Sequence, residues 1–118
     1  MIDKIKSPNM DLLFEAILSL NSVDECYEFF DDLCTGLELK AFSQRLQVAK
    51  LLTEHRVYNQ IVTDTGASTA TISRVNRSLK DGNNGYNTVF DRLKNKNLLC
   101  LLKFASLNLL SFKPIPSF

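Results

Sequence analysis

The stretch YNQIVTDTGASTATISRVNRSLK, residues 58–80, decides how this chain is read. Two short helical patterns, 58–65 and 68–80, flank Gly66. A turn between helices this close in sequence needs a left-handed backbone, which glycine adopts without a Cβ clash. Ile61 and Val62 before the turn, with Ala67, Ile72 and Val75 after it, are the small and branched apolar residues that fix such a pair at its crossing angle. Ser68 is placed to cap the second helix through its side-chain oxygen. The segment reads as a helix-turn-helix.

At 100° per residue, Ile72, Val75 and Leu79 form the buried stripe of the second helix. Ala70, Ser73, Arg74 and Arg77 then occupy the opposite side, with Thr69 and Lys80 on its flanks. Small residues lie toward the N-terminus and arginines further along. Such a helix enters a DNA major groove closely while its cations meet phosphates or guanines. A helical hairpin that merely supports a core is the plainer alternative. It explains neither the small outer face nor the arginines.

The charge distribution agrees. The formal total is only +1, yet residues 1–38 carry two lysines and nine acids, a net −7. Residues 39–118 carry the other twelve Lys/Arg and four acids, a net +8. A basic remainder behind an acidic first third suits a polyanionic partner, whereas an ordinary solvated surface would need chance clustering. Lys80 and Arg56 are further phosphate candidates.

The rest of the chain reads as all-α. With 118 residues, 45% hydrophobic, four glycines and three prolines, it fits one small helical domain. Residues 10–20 have helical apolar spacing after Ser7-Pro8, and Ser22-Val-Asp-Glu25 has the form of a capping box. Thr35-Gly-Leu-Glu38 repeats the device and opens a helix over 37–54, with Leu39, Phe42, Leu46, Ala49 and Leu52 as its inner stripe. Residues 81–85 are a turn cluster. A last helix runs over 86–112, in one piece or in two around 94–97, and a tail with Pro114 and Pro116 is expected to fray.

Other chemistry is poorly represented. His55 is the only histidine, and Cys26, Cys34 and Cys100 form no close metal-binding pair, so no metal site or cofactor is expected. Buried, reduced thiols and an N-terminus whose apolar run is broken by Asp11 and Glu15 point to a cytoplasmic protein. The most apolar tract, 98–112, contains Lys103 and is short of a membrane span. No nucleophile elbow or phosphate loop is present, and the acids of 24–32 read as a solvated face. No catalytic residue is expected, and no enzyme.

Residues 66–80, GASTATISRVNRSLK, resemble the DNA-reading segment of the tryptophan repressor family, and the whole chain is similar to its YerC/YecD-like bacterial branch. The likeness is strongest over 37–80 and extends from residue 10 to about 93. It implies an all-helical subunit that interlocks with a second copy and sets two reading heads about one DNA turn apart. One domain, 1–118, would then comprise dimerisation helices over 10–57, the helix-turn-helix at 58–80 and the C-terminal helix at 86–112. Carried over by position, DNA contacts fall on Thr69, Ala70 and Ser73, with Asn59 and Val62 standing where the family has long basic side chains.

The family's effector pocket transfers less well. Arg74 and Ser78 match its second arginine and its serine, but Val75 replaces a glycine. Gln44 falls at the first arginine, with Arg45 one residue on. Arg45, Arg74 and Ser78 thus remain a possible effector pocket, for a ligand other than tryptophan. The expectation is a homodimeric regulator of double-stranded DNA, a repressor on a palindromic operator. Its rivals are a protein-interaction module that uses the same helix pair and an effector-gated sensor.

Overall fold

Short polar residues set where each helix begins. In the computed structural model, which describes the backbone of residues 2–112 and side chains as far as 106, the chain forms seven helices. They are α1 (Ile2–Ile5), α2 (Pro8–Leu18), α3 (Val23–Leu33), α4 (Gly36–Thr53), α5 (Tyr58–Thr65), α6 (Thr69–Asp81) and α7 (Gly85–Phe112). The described residues contain no strand. The turn α1 was not legible in the sequence, and residues 113–118, with the expected frayed tail, lie outside the described residues.

Ser7 accepts the Met10 N–H at 3.1 Å, and Pro8 begins α2 with its backbone already at a helical φ. That pair starts the helix two residues before the apolar pattern does. Ser22 accepts the Glu25 N–H at 3.1 Å to open α3, but the Glu25 carboxylate reaches past it to the Asn21 N–H at 2.9 Å. At α4 the box is reciprocal: Thr35 Oγ1 accepts from Glu38 N at 3.2 Å, and the Glu38 carboxylate accepts from Thr35 N at 2.9 Å. The Thr35 N–H bond to the carboxylate, with a further interaction from the Thr35 hydroxyl, holds the Glu38 carboxyl below its ordinary pKa.

Helix α4 ends in a left-handed cap built on a non-glycine residue. His55 has φ +62°, its N–H donates to Leu52 O at 3.0 Å, and the Arg56 N–H donates to Leu51 O at 3.1 Å. This is the paired pattern of a Schellman motif. It turns the chain out of α4 and delivers it to Val57, the residue before α5.

The chain divides into two units, one up to Phe42 and one from Ser43. In the first, α1, α2 and α3 contain no buried residue, and Leu18 and Tyr27 are 83% and 74% exposed. Leu12, Phe14, Val23 and Leu33 are exposed as well, while Phe29 and Phe30 meet edge to face at 5.5 Å.

In the second unit Val48 and Ala49 of α4, Ile61 of α5, Ala67, and Ile72 and Val75 of α6 make one dry core. Leu51, Leu52, Val62, Leu79, Tyr86 and Phe90 pack around it. Full burial of each Val or Ile contributes roughly 1.5–3 kcal/mol, so these few residues dominate the stability of the unit. The inner stripe of α4 is therefore rotated from the expected one. Ala49 and Leu52 face inward with Val48, but Phe42 and Leu46 are exposed.

Helix α6 stops at Gly82, whose N–H donates to Ser78 O at 2.9 Å. A methyl group at Gly82 would run into that same carbonyl. The positive φ of the following turn belongs to Asn84, at +64°, which accepts from the Thr88 N–H at 3.1 Å as α7 begins. Helix α7 is continuous through 94–97. No glycine or proline interrupts it there, and an asparagine weakens a helix by only about 0.7 kcal/mol. Cys26 and Cys34 are partly buried, but Cys100 is exposed on α7, contrary to the expectation of buried thiols.

Candidate nucleic-acid interface

Gly66 adopts φ +70° and ψ +7°, the left-handed conformation that the α5–α6 turn requires. Its N–H donates to Val62 O at 2.9 Å. Thr65 ties the turn from both sides: its hydroxyl donates to Ile61 O at 2.7 Å and accepts the Ala67 N–H at 3.1 Å. From α4, Gln44 Nε2 donates to the Thr65 carbonyl at 3.1 Å. Ser68 caps α6 as expected, accepting the Thr71 N–H at 3.1 Å.

Helix α6 is thereby fixed on its inner side. Ile72 and Val75 are buried, Leu79 packs against them, and the Asn76 side-chain amide donates to the Tyr58 hydroxyl at 3.1 Å. Everything singled out on the outer side is exposed: Thr69, Ala70, Ser73, Arg74, Arg77 and Lys80. They share one helical face, with the small side chains in its first half and the cations beyond. Among the described residues Arg74, Arg77 and Lys80 have no acidic partner within ion-pair distance. The face therefore presents uncompensated positive charge. Asn59 is exposed in the first turn of α5, and Val62 is half-buried behind the turn. Arg56 pairs with Glu54 at 3.9 Å across exposed surface.

Of the three residues considered for an effector, Ser78 lines an open groove of about 480 Å³ with Leu46, Gly82, Asn83, Gly85, Tyr86 and Val89. Neither Arg45, half-buried on α4, nor Arg74, exposed on α6, lines it. Val75 is in the core, and the Gln44 amide is engaged by Thr65. Among the described residues no group of His, Cys, Asp and Glu side chains converges to hold a metal ion.

Two polar contributors were missed in the sequence, Gln44 and the Tyr58–Asn76 pair. A signal existed for each. Gln44 lies one turn before buried Val48, and Asn76 one turn after buried Ile72, so both polar side chains are carried toward the packed side.

Comparison with known proteins agrees with this geometry. The family model described as Trp repressor protein matches residues 8–94. An uncharacterised protein of Bacillus subtilis strain 168, YerC, is 54% identical over 93 residues, which are 79% of this chain and 89% of that protein. A crystal structure of a candidate Trp repressor from Staphylococcus aureus superposes with a TM-score of 0.77 at 51% identity, over 80% of this chain and 94% of that one. A TrpR-like protein from Eubacterium eligens gives 0.76 at 58% identity, over 78% and 95%. The family match stops at residue 94, so the part of α7 bearing exposed Leu98, Leu99, Leu101, Leu102 and Phe104 lies beyond it. With most of its length matched in sequence and in fold, this all-helical chain belongs to the Trp repressor family.

Proposed function

We propose that this chain is a sequence-specific DNA-binding transcriptional regulator, a cytoplasmic repressor that acts as a homodimer on a palindromic operator. The observation that carries the reading is the outer face of α6. Thr69, Ala70 and Ser73 are small and exposed where a helix must approach base edges, and Arg74, Arg77 and Lys80 beyond them supply cations with no acidic partner among the described residues. Thr69, Ala70 and Ser73 take the base contacts, Arg74 and Arg77 hold phosphates or guanines, and Lys80 and Asn59 flank the backbone. Among the described residues no helix is long and apolar enough to cross a membrane.

A second copy of the chain fits the N-terminal unit. Its helices α1 to α3 contain no fully buried residue, yet they expose Leu12, Phe14, Leu18, Val23 and Tyr27. Soluble monomers rarely leave apolar patches of more than a few hundred Å² in water. Two-fold pairing covers such a face and sets two α6 helices in register with the duplex.

Tryptophan is not the effector in this reading, because Val75 fills the core where a ligand's ring would need space and Gln44 brings no charge to it. The groove beside Ser78 is the observation that favours a sensor for another small molecule. Selection of bound duplexes from a random DNA pool tests the proposal. Enrichment of an inverted repeat supports both DNA reading and two-fold assembly. Salt-insensitive capture of a protein, with no sequence enriched, would instead identify an interaction module.

A further inference from the structure

We infer that Gln44 is a positioning residue for DNA reading: its hydrogen bond to the Thr65 carbonyl ties the helix-turn-helix to α4 and so aims the N-terminal half of α6. The inference rests on the DNA-binding function proposed above, but the latch itself is a property of the protein alone.

The last carbonyls of a helix lack an N–H from a following turn and need another partner. Here the Val62 carbonyl is taken by Gly66 N, as part of the turn itself. The Thr65 carbonyl is taken by a side chain 21 residues away, on a different helix. Gln44 and Val48 are one turn apart on α4, so the donor and the core contact beneath the turn come from the same side of the same scaffold helix.

Position in the chain gives this bond its leverage. Thr65 is followed by Gly66, Ala67 and the cap Ser68, and then at once by Thr69 and Ala70. The hydroxyl of Thr65 holds both Ile61 and Ala67, so its backbone cannot shift without disturbing the last turn of α5 and the entry to α6 together. The second half of α6 has separate anchors in Leu79 and in the Asn76–Tyr58 bond. Loss of the Gln44 bond therefore loosens the end that carries the small residues and leaves the end that carries Arg77 and Lys80 in place. Base-edge recognition depends on close placement, whereas phosphate attraction tolerates movement. The consequence is a loss of discrimination with little loss of general affinity.

The experiment compares wild type with Gln44→Met, which keeps length and removes the donor, and Gln44→Glu, which replaces the donor with an acceptor facing the Thr65 carbonyl. Amide hydrogen exchange on the free protein reads the latch: protection at Gly66 and Ala67 is expected to fall in both variants while that of Val75 and Asn76 is unchanged. Binding is then measured to a duplex enriched from the random pool and to a scrambled duplex of equal length. The expected result in Gln44→Met is a loss of about tenfold in affinity for the enriched duplex, the scale of one hydrogen bond. Affinity for the scrambled duplex and the salt slope stay as in wild type.

Unchanged exchange at Gly66 and Ala67 in both variants overturns the latch. Altered exchange with an unchanged ratio of enriched to scrambled binding overturns the positioning role. A Gln44→Met variant that unfolds outright also overturns it, because Gln44 would then support the whole unit. If wild type enriches no duplex, the DNA-binding reading falls, and the exchange data still decide the latch.

Discussion

Asn76 donates its side-chain amide to the Tyr58 hydroxyl at 3.1 Å, joining the middle of α6 to the first residue of α5. The two helices are thus held at the turn by Thr65 and Gly66 and at the open end of the angle by this bond. Tyr58→Phe removes the acceptor and keeps the ring. Since the pair is partly solvated, a loss of about 0.5–1 kcal/mol in unfolding free energy is expected. Asn76→Ala should cost a similar amount alone and markedly less in the Tyr58→Phe background. Denaturant titration of the four proteins checks this. Strict additivity would show that the bond contributes nothing.

His55 is the place where the fold invites stabilisation. Its φ of +62° at the end of α4 is one that a Cβ disfavours, and glycine is the common residue at this position of a Schellman motif. His55→Gly should raise the unfolding free energy by about 0.5–1 kcal/mol, less than the full left-handed penalty because glycine also gains entropy in the unfolded chain. In urea the midpoint should rise with an unchanged slope. A midpoint that falls would mean the imidazole makes contacts worth more than the strain.

The capping box at the start of α4 gives a pH dependence with a defined sign. The backbone and hydroxyl of Thr35 hold the Glu38 carboxyl below the ordinary glutamate value of 4.5. A depressed folded pKa means that the carboxylate stabilises the fold above the unfolded pKa and that this contribution is lost as pH falls through the folded one. Wild type should therefore exceed Glu38→Gln in stability at pH 7. The gap should narrow as pH drops below about 4.5, toward none in strong acid. Thermal melts of both proteins across that range test it. A gap that does not vary with pH would assign the cap to the amide-compatible part of the bond alone.

What was legible in the sequence was whatever a local rule governs. Gly66 announced its left-handed turn, Ser68 and Thr35 their caps, and Ile61, Ala67, Ile72 and Val75 the inner side of the helix pair, all from spacing and side-chain type. Phe42 and Leu46 were misread because α4 offers apolar residues on more than one side. Only contact with α5 and α6 selects Val48 as the inner one. The left-handed His55 was hidden because histidine, though more frequent at positive φ than most residues, mostly adopts negative φ and so does not mark the turn as glycine does. Gln44 and Asn76 were passed over because a lone polar residue on a helix is ordinarily solvated, and their partners lie 21 and 18 residues away.

The outer face of α6 allows shape and charge to be separated. Ser73 is exposed midway along that face, and Arg77 lies one turn further on with no acidic partner among the described residues. Ser73→Leu adds bulk where the helix must lie against base edges but touches nothing in the core, so the fold should melt as wild type does. Its affinity for an enriched duplex should drop by about 1–3 kcal/mol, the range of one lost base contact, with scrambled DNA affected far less. Arg77→Ala should act in the other way. Removing a phosphate cation weakens binding to both duplexes by similar factors and reduces the slope of log K against log salt by about one. Titrations of both duplexes at several salt concentrations distinguish these outcomes. The two variants are informative only together, since a general weakening by Ser73→Leu would suggest misfolding and a selective one by Arg77→Ala would suggest a guanine contact. If both bind the enriched duplex as tightly as wild type, with the same salt slope, α6 is not the reading helix.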